Sequence, residues 1–325
     1  MNKTKFSRFV FGMATAAVVL LCVTVHGAMN QEIGTDHVLE HLHPKAWTGD
    51  FDEMAEHRTI RFLVVYNNTF YFLDKGQQRG ISYEAGKQFE ELVNKKLGSK
   101  TLKIKTVFLP VDRDHLISRL VEGYGDIVAA NLTVTEQRMQ QVDFSNPLAS
   151  NVREVPVTPA GDTVLDSADD LSGKTVYVRK SSSYYESLNA LNEDFQKKGK
   201  PLVKLELVDE WLEDEDLLEM VNAGLIPIII VDSYKANLWL QIFDNIEVHS
   251  GAAVREEGDI AWAFRKNSPK LAEVVNEFVS KNKQGTLMGN VIINRYLKNA
   301  DYIKNSLTDE DIEKYKSMVD LFARY

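Results

Sequence analysis

The sequence predicts an α/β protein of two similar lobes, each an open, mainly parallel sheet flanked by helices. The order strand, helix, strand, helix, strand is predicted between residues 60 and 131 and again between 175 and 231. An extended stretch with two prolines, 151–160, separates the two copies. A strand and helix at 260–279 follow the second copy, and we expect them to return to the first lobe. Two strands would then cross between the lobes and form a hinge.

The first copy contains three runs rich in β-branched and aromatic residues, which is the composition of buried strands. Helices are expected between them, because Ser82 and either Asp112 or Asp114 can accept hydrogen bonds from the first amides of a helix. Gly123 and Gly125 mark the end of the second helix. The predicted strands span 60–66, 102–109 and 126–131.

The second copy repeats this order. Ser182 and Ser233 are placed to begin helices directly after strands, and Gly224 ends the helix between them. The predicted strands span 175–179, 203–208 and 225–231. We therefore expect lobe 1 to comprise 59–150 and 259–300, and lobe 2 to comprise 155–250.

The amino terminus has the pattern of a secretory signal peptide. Three basic residues precede an apolar run at 9–25, and the small residues Gly27 and Ala28 follow. We expect residues 1–28 to be cleaved on export to the periplasm. An uncleaved anchor is the alternative, although the run is shorter than the ~20 residues that span a bilayer.

Residues 29–58 are polar and without a sustained period, so we expect a tether there, and we expect a helical tail at 301–325. His37 and His41 would share one face of a helix, a spacing that zinc sites use. A closed site needs further ligands that this segment does not fix, so we expect a solvated linker and no metal.

Charge and cysteine content narrow the function. The chain has 38 Lys and Arg against 47 Asp and Glu, and removing the three cations of the leader gives a formal charge of −12. Such a chain repels nucleic acid. The single cysteine, Cys22, lies in the leader, which leaves no thiol nucleophile or disulfide. The acidic cluster at 209–216 is expected to be a solvated helix start, and no catalytic grouping or cofactor motif is predicted.

Candidate binding residues follow the strands, because open parallel sheets bind ligands at the carboxyl ends of their strands. Arg138 can hold a carboxylate through two hydrogen bonds, and Asp232 can accept an ammonium group. A surface ion pair for Arg138 and a helix cap for Asp232 are the structural alternatives. The other candidates in these positions are Asn68, Tyr71, Asn131, Thr133 and Ser182.

Two stretches also carry a family resemblance. Residues 123–138 read GYGDIVAANLTVTEQR and residues 142–147 read VDFSNP. They resemble the signature of bacterial solute-binding protein family 3, the periplasmic receptors for polar amino acids. The resemblance implies a type II periplasmic-binding fold whose lobes close on a ligand.

The same resemblance implies roles for individual residues. The position of Arg138 binds the α-carboxylate of the ligand, with assistance from the position of Ser182. Ala130 stands on the same loop as Asn131 and Thr133, where a polar residue is common, and Asp232 takes the α-amino group.

A narrower resemblance concerns residues 63–74, LVVYNNTFYFLD, and 76–80. They are similar to the amino-terminal domain of the membrane-bound lytic murein transglycosylase F family, in which a solute-binding domain precedes a lysozyme-like catalytic domain. The tail resembles the approach to that domain, whose catalytic glutamate motif would lie beyond Tyr325.

We therefore expect a non-catalytic, monomeric periplasmic protein that closes around a small zwitterionic ligand, without cofactor or nucleic acid. Its partner could be the permease of an ABC transporter. The alternative is a transglycosylase-like protein whose binding domain senses muropeptides.

Overall fold

The computed structural model describes residues 46–98, 101–161, 163–298, 300 and 303, all within one compact unit. The strands are β1 (Thr59–Val64), β2 (Phe72–Asp74), β3 (Gln77–Arg79), β4 (Lys105–Pro110), β5 (Ile127–Thr133), β6 (Val142–Phe144), β7 (Ala149–Pro159), β8 (Thr175–Val178), β9 (Lys204–Leu207), β10 (Ile229–Asp232), β11 (Ile246–Val248) and β12 (Arg255–Arg265). The helices are α1 (Phe51–His57), α2 (Ile81–Lys96), α3 (Leu116–Val121), α4 (Glu136–Met139), α5 (Ser183–Lys197), α6 (Asp214–Asn222), α7 (Ser233–Trp239), α8 (Pro269–Asn282) and α9 (Leu287–Tyr296).

The main sheet joins two parallel halves through an antiparallel pair. Its strand order is β4-β1-β5-β12-β7-β10-β8-β9. In the half that we call the first lobe, β1 runs parallel to β4 and β5. In the second lobe, β8 runs parallel to β9 and β10. The long strands β7 and β12 pair antiparallel between the lobes, which confirms the expected α/β fold with two hinge strands.

Helices cover both faces of the first lobe because the side chains of its strands alternate. Phe62 and Val64 of β1 face one apolar cluster, which contains residues of α1, α2 and α8. Leu63 and Val65 face the opposite cluster, which contains residues of α3. Neighbouring residues of a strand point to opposite faces, so one buried strand supplies two cores.

Residues 46–58 belong to the first lobe and not to a tether. Asp50 caps α1 in a capping box with Glu53, and Phe51 and Met54 of this helix are buried in the core. The ring of Trp47 lies 3.8 Å from the Arg61 guanidinium carbon. Because a helix of two turns buries so few apolar residues, its polar sequence shows no period.

The chain leaves the first lobe earlier than predicted. Helices α8 and α9 pack against each other and against α2 of the first lobe. Ala300 and Ile303 are then buried in the core of the second lobe, with Leu297 packed beside them. The described segment from α8 to Ile303 therefore contacts both lobes, the first through its helices and the second through the residues that follow them.

Helix starts agree only partly with the sequence prediction. Ser182 caps α5 by accepting a hydrogen bond from the Tyr185 amide at 3.2 Å, as expected. Helix α2 instead begins at Ile81 after Gly80, whose φ of 108° and contact with the Phe70 carbonyl leave no room for a Cβ. Ser82 donates to the Ala129 carbonyl at 2.5 Å.

Two other predicted caps are also wrong. Neither Asp112 nor Asp114 caps α3, whose N-cap position belongs to His115; Asp112 precedes a short 3₁₀ turn and makes no capping hydrogen bond through its side chain. Ser233 is the first residue of α7, whose N-cap position belongs to Asp232. The predicted signal peptide lies outside the described residues. Among the helices that are described, none combines the length and apolarity needed to cross a bilayer.

Candidate ligand-binding site

A small cavity of about 20 Å³ lies where the two lobes meet, at the carboxyl ends of β5, β8 and β10. Five of the residues predicted from the sequence line it: Asn131, Thr133, Arg138, Ser182 and Asp232. Charged side chains that were not predicted line it as well: Arg113, Arg179, Asp214 and Lys235. The structure thus brings Arg138 and Asp232, from different lobes, to one cavity.

Arg138 reaches from the first lobe to the second. Thr135 caps the short helix α4 that carries it. The guanidinium donates to the Thr133 carbonyl at 2.8 Å and, across the cleft, to the Ser181 carbonyl at 2.9 Å. The carboxylate facing it is Glu186, at 3.9 Å, which is beyond hydrogen-bond distance.

The charge of Arg138 is therefore incompletely compensated. Burial lowers the pKa of the Arg138 guanidinium below its ordinary value, and Glu186 offsets this only in part. Arginine still keeps its proton at any physiological pH. A buried cation that bonds only to carbonyls is a good partner for an anionic ligand.

Asp232 ends β10 and is 2% exposed. Its Oδ2 accepts from the Tyr234 hydroxyl at 3.0 Å and lies 3.1 Å from Lys235 Nζ. Its Oδ1 is also buried and has no hydrogen-bond partner among the described residues. Asp232 therefore keeps one acceptor oxygen for a further donor.

Asp214 of the second lobe forms ion pairs with two cations, Arg179 and Lys235, and none of these three residues was predicted as a site residue from the sequence. It lies at the start of α6, where its Oδ1 pairs with Arg179 and its Oδ2 lies 2.5 Å from Lys235 Nζ. The Tyr184 hydroxyl donates to the same Oδ2 at 3.0 Å. Burial alone would raise the pKa of Asp214, but Lys235 and Arg179 lower it well below its ordinary value.

The expectation of a solvated acidic cluster at 209–216 is thus wrong for its centre, since Glu213 and Asp214 are both buried. The sequence signal that could have indicated this burial is a pair of cations. Arg179 directly follows β8, and Lys235 lies in the first turn of α7. A buried acid needs such partners, and these partners lie far away in sequence.

Polar contacts join the lobes around the cavity. Arg113 of the first lobe forms a two-pronged ion pair with Glu213 of the second, in which Nε lies 2.8 Å from Oε1. The Ser183 hydroxyl lies 3.1 Å from that of Thr133. Asn131 donates to the Tyr234 hydroxyl, and its positive φ of 56° is one that asparagine tolerates.

Three predicted residues do not line this cavity. The Ala130 side chain packs in the first-lobe core, and only its carbonyl contributes, by accepting from Arg113 at 3.1 Å. Tyr71 is buried in the other first-lobe cluster, where its ring stacks on Phe108. The side chain of Asn68 is exposed, and its backbone amide donates to Glu215.

A second cavity of about 420 Å³ lies against the hinge strands. Apolar side chains dominate its walls, among them Phe70, Trp262 and Ile292. Asn131 lines both cavities, and Tyr234 lines the larger one.

No cluster of three or more metal-ligating side chains is found in the part of the chain that the structure describes. His37 and His41 lie outside that part.

The chain spans about half the length of the curated relatives that it matches. Membrane-bound lytic murein transglycosylase F of Desulfosudis oleivorans is 30% identical over 251 residues, which cover 77% of this chain and 51% of the relative. The protein of the same name from Pseudomonas fluorescens is 31% identical over 238 residues, or 73% of this chain and 46% of the relative. The matched region is the amino-terminal binding domain of these proteins.

Solved structures with the same fold are type II periplasmic binding proteins. An ancestral arginine-binding protein bound to arginine superposes with a TM-score of 0.58 at 24% identity, covering 73% of this chain and 97% of that one. A putative binding component of an ABC transporter from Wolinella succinogenes, complexed with lysine, gives 0.61 at 19% identity, covering 76% and 98%.

The family profile of bacterial extracellular solute-binding proteins, family 3, matches residues 63–298. That range holds both hinge strands, Arg138 and Asp232. The chain belongs to this family of bacterial extracellular solute-binding proteins.

Proposed function

We propose that this protein binds a small solute with a carboxylate group between its lobes and closes around it. The observation that carries the proposal is Arg138, a buried cation that faces the interlobe cavity without a carboxylate at hydrogen-bond distance. The expected ligand is an amino acid or a short peptide. Family membership supports this choice, as do structural neighbours named as arginine- and lysine-bound proteins.

Binding requires the lobes to move. A cavity of about 20 Å³ holds roughly one water molecule and no amino acid. The two strands between the lobes, β7 and β12, are the natural place for bending. Glu154 of β7 and Arg255 of β12 pair there at 3.3 Å.

We expect the protein to act after export to the periplasm. There it would either deliver its ligand to the permease of an ABC transporter or sense that ligand. The sensing alternative has its own support. The curated relatives are lytic transglycosylases, of which this chain spans about half the length. In that case the ligand is a fragment of the cell wall that carries a peptide. Titration with free amino acids and with wall peptides separates the two roles.

The decisive test combines ligand identification with a variant. Native mass spectrometry of the exported protein identifies a solute that co-purifies with it. Arg138→Ala should then weaken binding of that solute by about 2–5 kcal/mol, measured by calorimetry, since a charge-assisted contact is lost. Arg119→Ala is the matched control, because Arg119 is exposed on α3 and pairs with Glu122 within the first lobe.

Circular dichroism should show that both variants stay folded. If Arg138→Ala binds the solute as tightly as Arg119→Ala does, the carboxylate site lies elsewhere and the proposal is wrong.

A further inference from the structure

The aspartate that was expected to take the ammonium group of a ligand already holds one from the protein itself. Lys235 lies three residues after Asp232, is 8% exposed, and places Nζ 3.1 Å from Asp232 Oδ2. Asp214 holds the other side of the same ammonium at 2.5 Å. Burial alone would lower the pKa of Lys235, but Asp214 and Asp232 raise it above its ordinary value, so this ammonium stays charged.

A second ammonium on Asp232 would meet strong repulsion. The cavity wall already carries the cations Arg113, Arg138, Arg179 and Lys235. The carboxylates of Glu213, Asp214 and Asp232 offset three of these charges. A free amino acid bound through Asp232 would bring its ammonium within a few ångströms of Lys235, in a buried site where like charges are poorly screened.

What Asp232 still offers is a single acceptor. Its Oδ2 is occupied by Tyr234 and Lys235, whereas its buried Oδ1 has no hydrogen-bond partner among the described residues. One uncharged N–H satisfies that oxygen without adding positive charge. An ammonium group would bring three donors and a full charge to the same place.

We propose that the ligand presents an amide N–H to Asp232 and a carboxylate to Arg138, and is therefore an N-acylated amino acid or the carboxyl-terminal residue of a short peptide. This inference rests on the proposed function, because it assumes that the ligand carboxylate binds Arg138. Lys235 is then the residue that selects against a free α-amino group.

The structure has room for the acyl substituent. Asn131 lines both the charged cavity and the 420 Å³ cavity, and its side chain bonds to Tyr234. Tyr234 lines the larger cavity and bonds to Asp232. Tyr234 therefore links the Asp232 carboxylate to an apolar space of the size that small ligands occupy, and the acyl substituent would extend along this side chain.

The test is calorimetry on the wild-type protein with matched pairs. L-alanine, L-glutamate and L-lysine are each compared with the N-acetyl derivative and with the N-acetyl carboxamide. The N-acetyl acids should bind at least tenfold more tightly than the free amino acids, and the carboxamides should not bind. Tighter binding of the free amino acids overturns this inference and leaves the proposed function standing. If no acid of the panel binds, or if the carboxamides bind as well as the acids, the proposed function itself fails.

A variant assigns the selectivity to Lys235. Lys235→Met keeps approximately the length of the side chain and removes its charge. The ratio of the affinities for N-acetyl acids and for free amino acids should therefore fall by tenfold or more. Lys198→Met is the control, because Lys198 pairs with Asp194 on the surface. An unchanged preference in a folded Lys235→Met protein assigns selectivity to another group and refutes this role. If that variant does not fold, the wild-type comparison still decides the ligand class.

Discussion

The ion pair between Arg113 and Glu213 should control how readily the lobes separate. The two side chains come from different lobes and are only 9% and 8% exposed. Arg113→Met leaves the Glu213 carboxylate buried beside Asp214, with Asn67 Nδ2 at 3.3 Å as a remaining donor across the cleft. Separation of the lobes returns that carboxylate to water.

The magnitude follows from the burial. Breaking a buried pair by removing one partner costs about 3–5 kcal/mol. Here the cost falls on the closed arrangement alone, so the ratio of closed to open protein should fall by roughly 100- to 4,000-fold at about 1.4 kcal/mol per factor of ten. Burial alone would raise the pKa of Glu213, but Arg113 lowers it, so the charge of Glu213 depends on this partner.

Small-angle X-ray scattering of the ligand-free protein measures the effect. Arg113→Met should have a larger radius of gyration than the wild type, and a ligand of the identified class should reduce the radius again. Arg119→Met removes an exposed pair with Glu122 within the first lobe and should change nothing, because exposed pairs contribute about 0–1 kcal/mol. Equal radii for the two variants would refute the idea that this pair holds the lobes together.

Two further changes test closure and the extent of the first lobe. Burial, reinforced by Glu213 and Asp216, raises the pKa of Glu215 to about 8, and its carboxyl contacts the backbone of the opposite lobe at Asn68. Since the raised pKa favours the protonated form in the closed state, closure should weaken as the pH rises from the ordinary titration range of a glutamate toward about 8. Scattering at several pH values should show this, and a trend that persists in Glu215→Gln would contradict it. Met54 of α1 is fully buried, so Met54→Ala should lower the free energy of unfolding in urea by about 2–5 kcal/mol. The exposed Glu56→Ala should stay within about 0.5 kcal/mol, and equal effects would mean that α1 is not part of the core.

Local sequence patterns were enough to predict the two-lobed α/β fold of this protein. The runs of β-branched residues located the strands of both lobes, and Ser182 marked the start of α5, because strand burial and helix capping depend on neighbours in sequence. The rule that ligands bind at the carboxyl ends of parallel strands placed Arg138 and Asp232 at one cavity. The same rule misplaced Asn68 and Tyr71, since it does not say which side of a strand end faces the cleft.

The sequence by itself determined the two-lobed α/β fold, its two crossing strands and the pair of opposite charges that faces the cleft. Only the tertiary structure decided how those charges are distributed. Arg113 meets Glu213 100 residues later in the chain, and Arg179 and Lys235 converge on Asp214 from separate elements. A buried charge is stable only beside its partner, and the partner is chosen by the fold and not by distance along the chain. For this reason the ion pairs of Lys235 with Asp214 and Asp232 could be identified only from the tertiary structure.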